Sequence, residues 1–474
     1  MPRSPNIVIV MADQLAPQFC GAYGSPVAKT PYIDALAARG TRFDAAYCNS
    51  PLCAPSRFAF MSGQLISRIA AYDNASEFRA SVPTIAHYLK ALGYQTCLSG
   101  KMHFVGPDQK HGFQDRVTTD IYPADFAWTP DWEAHDERID KWYHNMQTVK
   151  ESGVAVATFQ TDYDDEVEFA SRRWLIDRGR DRAAGDDTPF FMVASFIHPH
   201  DPYVAKPEFW DLYDNLPIEM PEELALKDHD PFSRRVMDGI EASTVPLTEE
   251  EVRRARRAYL ANVSYFDSKV GAIVKALEDT GQIDNTLIIV TADHGDMLGE
   301  RGLWYKMNFF EHSARVPLIM AGPGVAKGAA ANACSLVDLL PSIVDAAGGD
   351  IDMLGEPIDG RSLMPLARGE AASEDIAIGE YCAEMTPWPV FMICRGPLKY
   401  IHCDADPPQL YDLNQDPGEL KDLANDPAYS DAAAAFAAEV TEHWDSAALR
   451  KDVIRTQKSR RALHAAMEAP EKEK

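Results

Sequence analysis

A cysteine at position 53 stands where the sequence predicts the start of a helix. Residues 53–57 have the sequence Cys-Ala-Pro-Ser-Arg, and an apolar stretch follows them. Pro55 suits the first turn of a helix, because the N–H that proline lacks has no intrahelical partner there. Free backbone N–H groups and the positive end of the helix dipole then favour an anion beside the thiol, and Arg57 can point toward it. On its own, such a cysteine is more often a half-buried thiol in a turn.

Polar residues follow at once after four apolar stretches of the chain. These stretches cover residues 6–12, 95–99, 189–197 and 286–292, and helices are predicted near residues 31–40 and 85–92. Strands that alternate with helices indicate an α/β fold with a mostly parallel sheet, and ligands bind beyond the carboxyl ends of such strands. The polar residues at those ends are Asp13, Gln14, Lys101, His103, His198, His200, Asp293 and His294.

Two of these strand ends carry side chains that bind divalent cations. Asp13 and Gln14 follow the first stretch, and Asp293 and His294 follow the last. The carboxylates and Gln14 suit calcium, and His294 would allow manganese or magnesium to compete. Taken singly, each aspartate is better explained as a helix cap, and His294 as a loop histidine.

The chain is predicted to divide into a larger and a smaller part. Residues 1–375 form the larger domain, with a further strand at 316–321 and an insertion over about 104–190 that is rich in Trp, Asp and His. Residues 376–474 form a smaller α+β subdomain. Its short antiparallel strands are predicted at 398–402 and 409–413, and a single helix is predicted over 431–467.

The composition of the chain indicates which partners it does not bind and in which compartment it is expected. The net charge is −26 and the pI is near 4.9, so the surface repels nucleic acid and anionic membranes. Eight cysteines in 474 residues are too sparse for a disulfide scaffold. The N-terminal apolar run is too short for a signal peptide, and no apolar stretch is long enough to span a membrane. A reduced, cytoplasmic protein is therefore expected.

These motifs together resemble the sulfatase family of the alkaline phosphatase superfamily. Residues 53–57 match its C-x-P-S-R signal, in which the cysteine is oxidised to formylglycine and the hydrated aldehyde is the nucleophile. Residues 100–103 (Gly-Lys-Met-His) and 198–200 (His-Pro-His) match two further motifs, and residues 410–413 and 416–419 match the C-terminal signature. The matches extend along nearly the whole chain in the family's order. They imply an alkaline-phosphatase-like sheet with flanking helices and a C-terminal antiparallel sheet.

The resemblance also implies a role for each matching residue. The metal ligands would be Asp13, Gln14, Asp293, His294 and the modified Cys53, and the ion would be calcium or manganese, with magnesium possible. The catalytic set would be Cys53, Arg57, Lys101, His103, His200, Asp293 and Lys306. In the family's mechanism, Asp293 helps to deprotonate the nucleophile and Lys306 or His200 assists the departing oxygen. His103 then takes the proton that allows sulfate to leave.

The substrate is suggested by an aromatic segment of the predicted insertion. Trp128, His144 and Asn145 resemble residues that line the choline end of choline sulfatases, and Trp132 is expected to shape the same pocket, with Trp142 and Tyr143 nearby in the sequence. Ring faces attract a quaternary ammonium, but such a cluster is equally well explained as packing of the insertion. Phosphonate monoester hydrolases and arylsulfatases share the same metal residues, so aryl sulfates and phosphate or phosphonate esters stay open as substrates. A sulfate-ester-binding protein without turnover is the remote alternative.

The expected partners follow from the same resemblance. They are a small sulfate ester, a formylglycine-generating enzyme or its equivalent for maturation, and a second copy of the chain. Choline sulfatases carry a longer C-terminal tail than this sequence, so a homodimer is expected rather than a tetramer locked by exchanged tails.

Overall fold

An eight-stranded sheet forms the centre of the larger part of the chain. The computed structural model describes residues 4–134, 144–371 and 374–468. Trp142 and Tyr143 lie outside the described residues. The strands are β1 (Asn6–Asp13), β2 (Thr41–Tyr47), β3 (Gln95–Gly100), β4 (Asp115–Arg116), β5 (Gly153–Val154), β6 (Phe190–Pro199), β7 (Val204–Ala205), β8 (Thr286–Ala292), β9 (Leu318–Ala321), β10 (Gly328–Ser335), β11 (Ile376–Tyr381), β12 (Val390–Arg395), β13 (Leu398–Cys403) and β14 (Asp406–Asp412).

The strand order explains why the polar clusters of the sequence meet. The sheet runs β10-β2-β9-β8-β1-β6-β3-β4, and β8, β1, β6 and β3 are neighbours that pair in parallel. The four apolar stretches form these four strands, and all their carboxyl ends lie at one edge. Every residue of β1, β6 and β8 is buried, as expected where helices cover both faces of a parallel sheet.

One strand runs against this direction. The predicted strand at 316–321 is observed as β9, which pairs antiparallel with both β8 and β2. An antiparallel strand buried on both faces has the same continuous apolar sequence as a parallel one. The sheet is therefore mixed but mostly parallel, as predicted.

Helices cover the sheet in two groups. The helices are α1 (Pro31–Arg39), α2 (Cys53–Ser62), α3 (Ile66–Ile69), α4 (Ile85–Ala91), α5 (Met146–Lys150), α6 (Phe159–Ala183), α7 (Pro207–Trp210), α8 (Pro231–Gly239), α9 (Glu249–Asp279), α10 (Glu311–Ala314), α11 (Leu339–Ala346), α12 (Met364–Ala367), α13 (Ser430–His443) and α14 (Ser446–Met467). One group contains α1, α6 and α9, and the other contains α2, α4 and α11. The stretch 104–190 contributes β4 to the sheet and α6 to the first group. No helix of the described ranges has the length and apolar character that a bilayer crossing needs.

The smaller part is an antiparallel sheet with helices packed on it. β11, β12, β13 and β14 pair in sequence order, and Phe436 and Val440 of α13 pack against the sheet residues Phe391 and Tyr400. The predicted antiparallel strands are thus present.

The single helix predicted over 431–467 is wrong, because the chain breaks between α13 and α14. Trp444 is extended (φ −127°, ψ 132°). Its ring stacks on Phe391 at 4.5 Å and its indole N–H donates to Glu380. Asp445 then caps α14 by accepting from the backbone of Ala448. Packing of one aromatic side chain overrides a sequence of strong helix formers.

Candidate active site

Four side chains from three segments of the chain meet beyond the carboxyl ends of β1 and β8. Cys53 is the first residue of α2, as predicted, and its Sγ lies 3.3 Å from His294 Nε2 and 3.9 Å from Asp13 Oδ1. The ligand atoms of Cys53, Asp13, Asp293 and His294 all lie within 4.8 Å of one another, and all four residues are buried. The backbone N–H groups of Gln14 and His294 both donate to Asp293 Oδ1 and fix that carboxylate.

Arg57 connects the two carboxylates of this group. One turn along α2 from Cys53, its Nε donates to Asp293 Oδ2 at 2.8 Å and its Nη2 donates to Asp13 Oδ2 at 2.9 Å. Its Nη1 donates to the carbonyl of Lys101 and to Ser195 Oγ. The side chain is fully buried. A fork of fixed donors that matches two carboxylates is the geometry for which arginine is suited and lysine is not.

Residues 100–103 bring two more groups to the same place. Gly100 has φ +97°, and a Cβ there would collide with the carbonyl oxygen of Ser195 on the neighbouring strand. The turn places Lys101 Nζ in a buried ion pair with Asp13 Oδ2 and over the ring of Tyr122, 4.2 Å from its centroid. His103 follows in a left-handed conformation (φ 59°). Its two buried ring nitrogens have no hydrogen-bond partner among the residues that the structure describes.

The opposite side of the site is formed by His200 and Lys306. Lys306 Nζ donates to Gln14 Oε1 at 2.6 Å and lies 2.9 Å from His200 Nε2. His200 Nδ1 contacts the carbonyl oxygen of Asp201 at 2.6 Å, so its Nε2 faces the site. The structure therefore brings Asp13, Gln14, Cys53, Arg57, Lys101, His103, His200, Asp293, His294 and Lys306 into one cluster.

The charges of this cluster act strongly on its titratable groups. Burial alone would raise the pKa of Asp13, but Lys101, His200 and Arg57 outweigh burial and hold that pKa well below its usual range. Burial lowers the pKa of His103 well below its ordinary value, and the positive charge of Lys101 adds to the effect. Asp13 is thus an anion and His103 a neutral imidazole at neutral pH.

The donor set suits one divalent cation. Asp13 Oδ1 faces the thiol and His294 Nε2, because Arg57 and Lys101 occupy the other oxygen of that carboxylate. Gln14 offers a neutral amide oxygen, and its backbone has φ +65°, which turns it toward the site. Two carboxylates, an amide oxygen and an imidazole form the hard, mainly oxygen ligand set of calcium, manganese or magnesium.

Aromatic rings line the space next to His103 and His200. Trp128 is half-buried and meets the ring of His103 at 5.7 Å and that of Tyr122 at 5.2 Å. Tyr122 also lies 6.2 Å from His200. His144 stacks on Tyr305 at 4.4 Å and lies 6.0 Å from His200. Trp128 and His144 are thus beside the charged cluster.

Trp132 and Asn145 occupy structural positions. Trp132 is buried in a separate apolar cluster with Tyr72 and Val453, and its indole N–H donates to the carbonyl of Ala383. Asn145 caps α5 by accepting from two backbone N–H groups. Trp132 therefore packs the fold rather than joining the rings of Trp128 and Tyr122. The side chain of Asn145 is held by its helix.

Comparison with known proteins decides the family. The sulfatase family profile matches residues 5–349, and a profile described as N-sulphoglucosamine sulphohydrolase, C-terminal, matches residues 299–445. The chain is 47% identical over 475 residues to choline-sulfatase of Rhizobium meliloti (strain 1021), covering 98% of this chain and 91% of that protein. The chain belongs to the sulfatase family. It is a sulfuric ester hydrolase with the alkaline-phosphatase-like fold that the motifs predicted.

More distant relatives show how widely this sulfatase fold is shared. Iduronate 2-sulfatase of Mus musculus is 30% identical over 346 residues, which cover 67% of this chain and 59% of that protein. The crystal structure of phosphonate monoester hydrolase of Agrobacterium radiobacter superposes with a TM-score of 0.73 at 22% identity. That match covers 95% of this chain and 96% of the other. The last similarity shows a common fold.

Sequence reasoning missed two acidic residues that organise the sulfatase site. Asp296 accepts from Gln14 Nε2 at 2.6 Å and from Tyr203, and burial raises its pKa to about 6. Asp201 contacts His200 and lies 3.6 Å from His144 Nδ1. Each follows a predicted motif by one or two residues, so the same strand-end rule could have included them.

Proposed function

We propose that this sulfatase hydrolyses choline-O-sulfate, or a small sulfate ester very like it, with formylglycine at position 53 and one divalent cation. The observation that supports this choice of substrate is the 47% identity to a choline-sulfatase over 98% of the chain. The observation that supports the chemistry is the placement of Cys53 at a buried helix start among cationic and metal-ligating groups.

The chain's own residues form a positive site for the sulfate group. Arg57, Lys101 and Lys306 are cations, two of them balanced by Asp13 and Asp293. Burial acts to lower the pKa of Lys306, but the carboxylates of Asp201, Asp13 and Asp293 act against burial and the pKa lies above its ordinary value, so Lys306 keeps its charge. A sulfate ester is an anion, so a site that neutralises it favours attack by a negative nucleophile.

The cation would be held by Asp13, Gln14, Asp293 and His294, with residue 53 completing the set. When bound, it supplies a Lewis acid that stabilises negative charge at the reacting oxygen atoms. Asp13 and Asp293 are oriented for this role by Arg57, which fixes one oxygen of each.

The side chains around position 53 include a proton acceptor and a proton donor. Neither ring nitrogen of His103 has a hydrogen-bond partner within the described part of the chain, and the ring is neutral, so it can accept a proton from a group at position 53. On the other side, Lys306 Nζ lies 2.9 Å from His200 Nε2 and can donate to the oxygen of the departing alcohol. The hydrate of a formylglycine at this position would supply a second hydroxyl, and loss of the proton from that hydroxyl would re-form the aldehyde as the C–O bond to the sulfate group breaks, which releases sulfate.

The leaving alcohol would lie against the rings of Trp128 and Tyr122. Both rings are adjacent to His103, and ring faces attract a trimethylammonium group. His144 and Tyr305 bound the same space from the side of Lys306. Burial lowers the pKa of His144 to about 3, and the charge of Lys306 acts in the same direction, so a neutral ring faces the cationic trimethylammonium end of the substrate.

A substrate panel tests this proposal. Choline sulfate, para-nitrophenyl sulfate and an aryl phosphonate monoester are compared by kcat/KM on fully converted wild-type enzyme, with Cys53→Ala as the blank. Choline sulfate is expected to be the best substrate. If the aryl sulfate or the phosphonate is preferred instead, the enzyme is a broad arylsulfatase or phosphonate monoester hydrolase. If all three equal the blank, the protein binds sulfate esters without turnover.

We further propose that the enzyme is a homodimer, as the resemblance to the family suggests. Sedimentation at micromolar protein concentration is expected to give a species of twice the chain mass, and a lone monomer would contradict the proposal.

A further inference from the structure

Lys306 is carried by a loop whose backbone is strained. Within residues 298–307, the non-glycine residues Leu298, Arg301, Tyr305 and Met307 all have positive φ, between 46° and 74°. Lys306 lies between the last two. Each such conformation costs free energy in a residue with a side chain, and it persists only where the surroundings fix it. The position of Lys306 therefore depends on whatever holds this loop.

One set of contacts holds the loop from the catalytic side. The N–H of Tyr305 donates to Asp296 Oδ1 at 3.0 Å, and the N–H of Met307 donates to the carbonyl of Pro51 at 3.1 Å. These bonds connect the two strained residues beside Lys306 to the ends of β8 and to the segment before α2.

A second set of contacts comes from the C-terminal sheet. Lys399 on β13 donates to the carbonyl of Phe309 at 2.9 Å, to Glu311 Oε1 at 2.6 Å and to Glu419 Oε1 at 2.9 Å. Glu419 Oε2 accepts from the N–H of Glu311 at 2.6 Å. Tyr47 of the central sheet donates to the same Glu311 carboxylate. Lys399 and Glu419 are almost completely buried, so this cluster is a polar joint inside the protein.

Other parts of the same sheet touch the same segment. The ring of Phe309 lies against Gly379 on β11, where any Cβ would overlap it. The guanidinium of Arg301 lies 4.0 Å from the Phe310 ring centroid and 5.7 Å from that of Tyr411 on β14. Three strands of the C-terminal sheet thus contact Arg301, Phe309 and Glu311, each of which lies within five residues of Lys306 along the chain.

The chemistry of this joint argues for positioning rather than for stability. A buried ion cluster gains little over well-packed apolar side chains, because desolvation offsets the attraction. Such a cluster does, however, fix one packing of the segments that it joins, since any other packing leaves buried charges unpaired. Here that packing fixes Phe309 and Glu311, and through them the C-terminal end of the strained loop.

We propose that Lys399 and Glu419 are positioning residues that hold Lys306 at the leaving-group oxygen, so that the C-terminal sheet is part of the catalytic apparatus. The proposal rests on the proposed function in one respect, namely that Lys306 assists the departing oxygen. It predicts a defect that depends on the substrate, because a displaced Lys306 matters most for an alcohol that leaves poorly.

The test compares leaving-group dependence across four variants. The values of kcat/KM are measured for a series of aryl sulfates, from para-nitrophenyl to phenyl sulfate, on enzyme whose formylglycine content has been determined. Lys399→Met removes the donor and keeps the length of the side chain. Glu419→Gln is the milder change, since it keeps the pair of Lys399 with Glu311. Lys306→Ala gives the reference slope for complete loss of assistance.

Lys269→Met is the matched control. Lys269 is also buried and also contacts two carboxylates, Asp165 at 2.5 Å and Glu168 at 2.7 Å, but it joins α9 to α6 in the helical layer. A loss that reflects only a broken buried ion cluster would occur equally in this variant.

The expected result is a steeper dependence on the pKa of the leaving alcohol in Lys399→Met and Glu419→Gln. General acid assistance contributes about 10²–10⁴-fold, so partial displacement should cost roughly tenfold on phenyl sulfate and under about twofold on para-nitrophenyl sulfate. Lys269→Met should keep the wild-type slope. If both variants lose the same factor on every substrate, positioning is refuted while the role of Lys306 stands. If Lys306→Ala itself keeps the wild-type slope, the leaving-group role and the positioning both fail.

Discussion

Replacing Arg57 by methionine should strongly destabilise the fold as well as the site. Arg57 makes buried ion pairs with Asp13 and Asp293 and two further hydrogen bonds. Methionine keeps much of the volume but leaves Asp293 without its cation. Breaking a buried pair by removing one partner costs about 3–5 kcal/mol, because the remaining charge stays desolvated. We expect a loss of that size in the free energy of unfolding.

Urea denaturation in the presence of a chelator measures this loss without a contribution from bound metal. Arg68→Met is the control. Arg68 makes an equally close pair with Asp359 at the surface, where its side chain is 46% exposed. Such a pair contributes only about 0–1 kcal/mol. If Arg57→Met lowers the unfolding free energy by no more than Arg68→Met does, the carboxylates are not held as described.

Three further outcomes are expected. Trp128→Ala should reduce kcat/KM for choline sulfate by up to roughly thirtyfold (about 0.5–2 kcal/mol). The same change should reduce kcat/KM less for an aryl sulfate whose leaving group has no cationic charge. Trp132→Phe should lower stability but leave the ratio of the two kcat/KM values unchanged. If both variants change that ratio equally, Trp128 does not line the pocket for the leaving group. Asp293→Asn should lower cation affinity in calorimetric titration, and unchanged affinity would contradict its role as a ligand. Burial raises the pKa of Asp267 to about 7, above its unfolded value near 4, so this carboxyl makes wild-type stability fall as pH rises from about 4 to about 7. Asp267→Asn should remove that fall and be more stable at pH 8 by roughly 1–3 kcal/mol, whereas an unchanged pH profile would refute the shift.

The catalytic edge could be predicted because it depends on a rule about parallel strands. Asp13, His103, His200 and Asp293 follow strands that are neighbours in the sheet, so their meeting needs only the strand order and direction. The helix at Cys53 could be predicted from the local sequence as well, because Pro55 suits the first turn of a helix and an apolar stretch follows it.

Other features depend on contacts that sequence spacing does not contain. Trp128 and Trp132 are four residues apart and chemically identical, yet one lies beside His103 and the other in a core with Val453. The direction of β9 and the break at Trp444 are likewise decided by tertiary packing. The joint of Lys399 links residues up to 264 positions apart, and nothing in the local sequence of any of these segments indicates it.

The same limit applies to the left-handed residues around Lys306. Sequence patterns mark glycine as the residue for positive φ, whereas here Tyr305 and Met307 adopt it. Only the surrounding hydrogen bonds, which come from distant parts of the chain, explain why that conformation persists.

Turnover is expected to depend on formylglycine at position 53. The enzyme is produced with and without a formylglycine-generating enzyme, and the mass of the peptide that contains residue 53 gives the converted fraction in each preparation. Turnover of choline sulfate should rise in proportion to that fraction, and Cys53→Ser should show no steady turnover. Full turnover by protein in which the Cys53 thiol is intact would contradict the account.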